Sequence, residues 1–221
     1  MIYAPVLIPT LNRHIHLKRC IDSLSRCIHA DKTDLFVALD YPLREDHWEG
    51  YEKIREYLKT ATGFKSLNII ERDVNFGASK NIRDARETIY QIYDRMILSE
   101  DDNEFAPGFL EFINKGLEVY ESHDDVIAVC GYSIPIDIPK GFQQDVYFSK
   151  AFIAWGYGAW RGKSLAHDRN IDNIRRFLVN PINVLRLLHV PYGCYNGLVA
   201  GIRTGHIPGD RLVVYNNVRY G

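Results

Sequence analysis

Three consecutive carboxylates follow an apolar run in the middle of the chain, where residues 96–99 lead into Glu100, Asp101 and Asp102. Like charges a few ångströms apart repel by about 1 kcal/mol or more, so the cluster is costly unless a cation or polar ligand compensates it. A divalent metal ion that carries a phosphorylated substrate would do so. The alternative is a solvated turn whose carboxylates favour the N-terminus of the helix that begins near Pro107. The triplet by itself leaves both interpretations open.

Polar residues also follow the other strands expected in the first half of the chain, at 10–13, 40–41 and 75–77. The carboxyl ends of parallel strands meet at one edge of a sheet, which is where ligands bind in such folds. We therefore expect these residues to converge with the acidic triplet on one site. Each has a structural alternative: Asn12 as a helix N-cap, Asp40 as a turn former, and 75–77 as a plain turn.

Hydrophobic periodicity predicts five strands that alternate with four helices. The predicted strands are 6–8, 35–39, 67–70, 95–99 and 126–130, and the predicted helices are 13–28, 46–60, 78–93 and 107–121. This alternation indicates an α/β fold with a mostly parallel central sheet and helices on both faces.

The alternation stops after residue 132. A long loop at 133–141 leads to a segment rich in glycine and aromatic residues at 152–160. Flat faces and close backbone approach suit an acceptor sugar or a nucleotide base, and a packed aromatic core is the alternative. We expect two or three helices between Asn170 and Gly205 and then a strand at 211–215.

Composition restricts the class of protein. The 221 residues are within the range of one large α/β domain, and we expect 1–221 to form a single domain. With 27 basic and 28 acidic residues, the net charge of −1 gives no global field to recruit nucleic acid or an anionic membrane. The chain has neither a signal-peptide pattern nor a transmembrane segment, so a soluble cytoplasmic protein is expected.

The four cysteines show no metal-binding spacing, and we expect reduced thiols in the core. They are Cys20, Cys27, Cys130 and Cys194.

On these residues the chain resembles the GT-A glycosyltransferases, whose nucleotide-sugar-binding domain has this strand order and an acidic metal motif after the fourth strand. The segment 100–110, Glu-Asp-Asp-Asn-Glu-Phe-Ala-Pro-Gly-Phe-Leu, is similar to the acidic segment of the N-acetylglucosaminyltransferase I branch. Residues 12–20 are similar to the first motif of that branch. The segment 154–161 is similar to the Trp-Gly-Trp-Ala-Thr-Trp motif of bacterial transferases that build surface polysaccharides.

The resemblance implies a nucleotide-sugar site at the sheet edge. Asp102 would bind Mn²⁺ or Mg²⁺ that bridges the diphosphate, Glu100 and Asp101 would contact the ribose or base, and Asp40 would accept a hydrogen bond from the base. The other residues implied for this site are Thr10, Asn12, Arg13, Asn75, Gly77, Lys80 and Asn81.

The resemblance also implies an acceptor side. Trp155, Gly156 and Tyr157 would form the wall of the acceptor site. Inverting transfer needs a carboxylate that deprotonates the acceptor hydroxyl. The downstream acidic residues of related enzymes are not evident in this chain, and the nearest candidates are Asp168 and Asp172, each with a surface position as the alternative.

The implied function is a metal-dependent, inverting transfer of sugar from a nucleotide-diphosphate donor, expected to be UDP-linked, to a glycan or glycolipid acceptor. Residues 1–132 would bind the nucleotide and 133–221 would form the acceptor side. Two alternatives stay open: a nucleotide- or glycan-binding domain without turnover, and a sugar-phosphate nucleotidyltransferase. The second is disfavoured because 9–13 read Pro-Thr-Leu-Asn-Arg rather than a glycine-rich loop.

Overall fold

The computed structural model describes residues 3–163, 168–190 and 193–220. The chain divides into two compact units. The first comprises Met1–Tyr132 and Ala154–Lys163, and the second comprises Ser133–Ile153 and Ser164–Gly221. The chain crosses from one unit to the other near residue 132, but a ten-residue segment returns to the first unit.

The first unit is a mixed six-stranded sheet flanked by helices. Its elements are β1 Val6–Thr10, α1 His14–Leu24, β2 Asp34–Leu39, α2 Trp48–Leu58, β3 Ser66–Glu71, α3 Ala78–Tyr90, β4 Arg95–Leu98, α4 Phe109–Val119, β5 Ala128–Cys130 and β6 Tyr157–Trp160. The strand order is β3-β2-β1-β4-β6-β5, and β6 alone runs antiparallel to its neighbours. The predicted fold class is confirmed, and the sheet is consistent with a GT-A type fold.

The two faces of the sheet follow from the period of two along each strand. In β2, Leu35, Val37 and Leu39 join a core with α1, α2 and α4. The intervening Phe36 and Ala38 join a second core with α3 on the opposite face. Because both faces are covered by helices, β2 in the interior of the sheet is buried along its whole length, as expected for parallel sheets.

Strand β6 was not predicted. It inserts between β4 and β5, with Gly158 opposite Ile97. Glycine is depleted in strands, which hides the strand from sequence patterns. Here the glycine lets α4 approach: a Cβ at Gly158 would lie 2.6 Å from Ile113 Cγ2 and 2.9 Å from Leu117 Cδ1.

The second unit is helical, with α5 Ile171–Val179, α6 Pro181–Leu188, α7 Cys194–Thr204 and α8 Gly209–Tyr220. Three helices therefore occupy the region where two or three were predicted. The strand predicted at 211–215 is wrong, because these residues belong to α8. Consecutive residues from Leu212 to Asn216 are all buried, and a helix buried on most sides has the same short apolar run as a buried strand.

Asn12 is not the N-cap of α1: Arg13 has that position, without a side-chain capping bond. The cysteines are free thiols as predicted, and only Cys130 is partly exposed. Within the described part of the chain, no helix has the length and apolarity needed to cross a membrane.

We predict that Gly158→Ala destabilises the fold by about 1–3 kcal/mol, because the added methyl group overpacks the contact between β6 and α4. Gly162→Ala is the matched control, since a Cβ at Gly162 meets no atom within 4 Å. Urea denaturation followed by circular dichroism measures both. Equal unfolding free energies for the two variants would contradict the prediction.

Candidate functional site

A buried carboxylate joins the ends of β1 and β4. Asp101 is only 7% exposed. The Thr10 hydroxyl donates to Asp101 Oδ2 at 2.8 Å, and Arg13 Nη1 donates to Asp101 Oδ1 at 3.0 Å. Arg13 Nη2 also donates to Asp102 Oδ2 at 2.7 Å. Four residues expected at one site are therefore in direct contact.

The charges of this group are compensated in part within the protein. Burial raises the pKa of Asp101, and the Thr10 hydrogen bond and the Arg13 charge oppose that rise without cancelling it. The hydrogen bond to Asp102 and the charges of Asp101, Asp102 and Glu100 raise the pKa of Arg13. The Arg13 guanidinium thus compensates one of the three carboxylates of the acidic triplet. Asp102 stays partly exposed, with 37% of its side chain accessible.

Asp40 holds a second part of the same sheet edge. Its Oδ1 accepts hydrogen bonds from the backbone N–H of Tyr41 at 3.0 Å and of Phe76 at 2.8 Å, and its Oδ2 accepts from Gly77 N–H at 2.9 Å. Asn75 Nδ2 donates to the Tyr41 carbonyl at 2.6 Å. Three of the roughly four acceptor positions of the carboxylate are used, so Asp40 fixes the loop before α3.

Asn81 is buried and satisfied on both ends of its amide. Its Nδ2 donates to the Ala38 carbonyl at 2.9 Å, and its Oδ1 accepts from Arg72 Nε at 2.9 Å. The exposed Lys80 extends over Phe76, with Nζ 3.8 Å from the ring centroid, and Arg72 lies over the same ring. Sequence reasoning missed Arg72, although it directly follows β3 at the edge where ligands were expected.

A backbone bond connects these groups. The Asp40 N–H donates to the Thr10 carbonyl at 2.9 Å, which places the ends of β1 and β2 side by side. Asn12 lies beside them, and its carbonyl packs against α2 where a Cβ at Gly50 would be only 2.0 Å away. Glu100 is exposed next to the group. The residues predicted from strand ends therefore do lie along one edge.

A cavity of 420 Å³ lies in the first unit. Its first lining residue, Asn103, directly follows the acidic triplet in the chain. It is lined by Asn103, Glu104, Phe105, Ala106, Gly108, Phe109, Phe112, Gly131, Tyr132 and Trp155. Trp155 is 45% exposed, and its ring centroid is 5.0 Å from that of Tyr132. Sequence reasoning had singled out only Trp155 among these aromatic residues.

The structure separates the three predicted acceptor residues. Trp155 lines the cavity, and Gly156 lies behind its wall, with a φ of +77° and the Phe109 ring 3.0 Å from the position of a Cβ. Tyr157 begins β6 and is 6% exposed. Part of the glycine and aromatic segment is therefore core and part is accessible.

The two candidate bases lie in the second unit. Asp168 accepts from Arg219 Nη1 at 2.7 Å and from the Tyr215 hydroxyl at 3.2 Å. Burial alone would raise the pKa of Asp168, but its hydrogen bonds and the Arg219 charge leave that pKa below its ordinary value. Asp172, in the first turn of α5, is exposed and paired with Arg175 at 2.9 Å. Because both partners of Asp168, Tyr215 and Arg219, belong to α8, the Asp168 carboxylate stabilises that helix.

No family model matches the chain, and no curated protein matches it. Among solved structures, the mannosyltransferase PcManGT from Pyrobaculum calidifontis, in complex with GDP-Man and Mn²⁺, is 15% identical with a TM-score of 0.49 over 72% of this chain and 44% of that chain. TarS from S. aureus is 14% identical, with a TM-score of 0.39 over 54% of this chain and 20% of that chain. A structure of TarS residues 1–349 is 13% identical, with a TM-score of 0.41 over 54% and 33%.

This chain thus spans less than half the length of each of these solved chains.

We predict that Asp101→Asn stabilises the fold at neutral pH. Because the pKa of Asp101 is raised in the folded state, ionisation of this carboxyl costs the native structure free energy. That cost is absent at acidic pH and grows as the pH rises from the ordinary pKa of 3.8 through the raised pKa. Melting temperatures of the variant and the wild type should therefore converge at low pH and separate towards neutrality.

The exposed Asp94→Asn is the control for the loss of one negative charge. A variant that is less stable than the wild type at neutral pH would show that the Arg13 ion pair outweighs the burial of Asp101.

Proposed function

We propose that this chain forms the donor-binding part, and at least a portion of the acceptor site, of an inverting glycosyltransferase. The donor is a nucleotide-diphosphate sugar, expected to carry UDP, and the acceptor is a glycan or glycolipid. One observation carries the proposal: a buried Asp101 and a partly exposed Asp102 stand at the carboxyl edge of a doubly covered sheet, with Arg13 bonded to both.

The donor site is formed by two kinds of polar residue. Asp40 and Asn81 have their hydrogen-bonding groups largely used within the protein, so they hold the loop before α3 and act as positioning residues. Arg13 and Lys80 are exposed cations at the same edge, and their charge suits the diphosphate. The other residues of the proposed donor site are Thr10, Asn12, Asn75 and Gly77.

The chemistry of Asp102 fits a divalent cation. Mn²⁺ and Mg²⁺ take oxygen ligands, and Mg²⁺ commonly uses one or two carboxylates together with substrate phosphates. In the part of the chain that the structure describes, no group of three or more His, Cys, Asp or Glu residues could hold a metal. Asp102 would therefore hold the ion together with phosphate oxygens and water. The bound ion would neutralise charge on the departing nucleoside diphosphate.

Arg13 would change partners if the cation binds Asp102 Oδ2. It donates to that oxygen at 2.7 Å, so a cation there would displace it. Release of Arg13 from Asp102 would free one guanidinium edge for the phosphates, while the bond to Asp101 keeps the side chain at the site. Arginine suits this exchange because its fork binds carboxylate and phosphate in the same geometry.

The aromatic cavity would hold the acceptor. A sugar ring stacks on an aromatic face through its apolar C–H groups, and Trp155, Tyr132 and Phe112 offer partly exposed rings. The Glu104 carboxylate at the cavity could accept hydrogen bonds from sugar hydroxyls.

Transfer further needs a carboxylate that takes the proton of the attacking hydroxyl. Asp168 and Asp172 are the candidates we propose for that role.

Binding without turnover is the second candidate function, because Asp168 is engaged by Arg219 and Tyr215. Release of nucleoside diphosphate from a panel of nucleotide sugars, with and without glycan acceptors, separates the two. Turnover supports the enzyme, and its complete absence at saturating donor supports a binding domain.

We predict that Asp102→Asn removes the metal-dependent part of nucleotide binding. Ligands that bind only the native state raise its melting temperature, so UDP, GDP, CDP and TDP are screened with and without Mn²⁺. The best nucleotide should lose at least about tenfold in affinity in the variant, equivalent to about 1.4 kcal/mol, only when Mn²⁺ is present. Asp94→Asn is the control, and unchanged Mn²⁺-dependent binding in Asp102→Asn would exclude the metal assignment.

We predict that Trp155→Ala weakens glycan binding by about tenfold or more, because the glycan loses the partly exposed ring on which a sugar would stack. Nucleotide binding should be unchanged. Trp160→Ala is the contrast: Trp160 is buried in the core, and its loss should cost about 3–5 kcal/mol of stability. Glycan arrays and urea melts are run on both variants. A large stability loss in Trp155→Ala with normal glycan binding would assign Trp155 to the core.

A further inference from the structure

Helix α6 exposes apolar side chains to solvent. Its eight residues include Ile182, Leu185 and Leu188, each between 55% and 59% exposed, while Leu187 on the other side is buried. Val179, at the end of α5, is 82% exposed. A surface helix normally places polar residues on its outer face. We call Val179, Ile182, Leu185 and Leu188 the α6 patch.

The second unit carries a surplus of positive charge that the net charge of the chain hides. Residues 168–220 contain seven arginines, three aspartates, and no lysine or glutamate. Each aspartate pairs with an arginine: Asp168 with Arg219, Asp172 with Arg175 and Asp210 with Arg211.

Four arginines are left over: Arg169, Arg176, Arg186 and Arg203. In the described ranges, no carboxylate lies within ion-pair distance of them.

Two of these arginines border the α6 patch. Arg186 is four residues after Ile182 and is exposed, and Arg176 is three residues before Val179 and is exposed. Residues three or four apart are neighbours on a helix surface. The apolar side chains and uncompensated guanidinium groups therefore form one continuous surface on α5 and α6.

We propose that the α6 patch docks on the surface of an anionic lipid bilayer. The apolar side chains would enter the boundary between headgroups and acyl chains, and Arg176 and Arg186 would bind lipid phosphates. Interfacial helices combine these two features, an apolar face that is buried and a basic margin that meets anionic headgroups. A bilayer offers acyl chains to the apolar side chains and phosphate groups to the arginines, over a surface wider than the patch.

A second copy of the chain fits the patch less well. A two-fold interface places the same patch on both sides, and the patch contains no acidic residue that could pair with Arg176 or Arg186 of the other copy. Burying these guanidinium groups together without an acid would weaken association. The inference goes beyond the proposed function, because the contact requires neither nucleotide nor acceptor.

Sedimentation with lipid vesicles tests the proposal on the full chain. The vesicles contain either phosphatidylcholine alone or equal parts of phosphatidylcholine and phosphatidylglycerol. We expect the chain to sediment with the anionic vesicles, to be released by salt, and to remain in solution with the neutral ones. Leu185→Glu should lower the partition coefficient by at least about tenfold, and Arg186→Glu by at least about fivefold.

Ile92→Glu is the matched control, because Ile92 is an exposed apolar residue of the first unit. It should leave vesicle binding unchanged. Circular dichroism melts verify folding, and Leu188→Asn replaces Leu185→Glu if that variant unfolds. The proposal is overturned if the wild type ignores anionic vesicles, if the α6 variants bind as the wild type does, or if the control loses binding equally. Light scattering that shows a dimer for the wild type and a monomer for Leu185→Glu would also overturn the proposal and assign the patch to self-association.

Discussion

The buried carboxylate of Asp101 is the constraint on which the site depends. A buried charge is tolerated only when it is paired and hydrogen-bonded, and here the partners come from elements far away in sequence. Thr10 ends β1 and Arg13 precedes α1, whereas Asp101 follows β4. The parallel pairing of β1 with β4, which brings Val6 opposite Ile97, aligns these ends. A shift in that register would move both Thr10 and Arg13 relative to Asp101 and leave the carboxylate without these partners.

The polar residues of the edge therefore divide into two groups. Asp40, Asn81 and Asp101 are buried and have partners within the protein, so their contribution is to fix loops and strand ends. Arg13, Lys80 and Asp102 are partly or fully exposed and can reach a ligand. Satisfied networks of the first kind rigidify a site, and exposed charges of the second kind retain the freedom to exchange partners when a ligand arrives.

Much of the first unit could be predicted from sequence because its strands and helices alternate and each has a clear period. The convergence of residues 10–13, 40–41, 75–77 and 100–102 followed from topology alone. Hydrogen-bond partners could not be predicted, since Arg72 with Asn81 or Asp168 with Arg219 depends on packing that no local pattern encodes. Strand β6 was missed because of glycine, and α8 was mistaken for a strand because burial on most sides removes the helical period.

The net charge of the chain likewise does not reveal where charged ligands can bind. A net charge of −1 indicates no electrostatic partner, yet it is the sum of opposite local excesses. Salt screens charges beyond about 8 Å at physiological ionic strength, so a ligand senses only the nearest groups. A phosphate near Arg176 and Arg186 meets arginines without neighbouring acids, whereas a cation near Asp102 meets an acidic triplet with one arginine. The chain can therefore attract anions and cations at different places, and its partners follow from local rather than total charge.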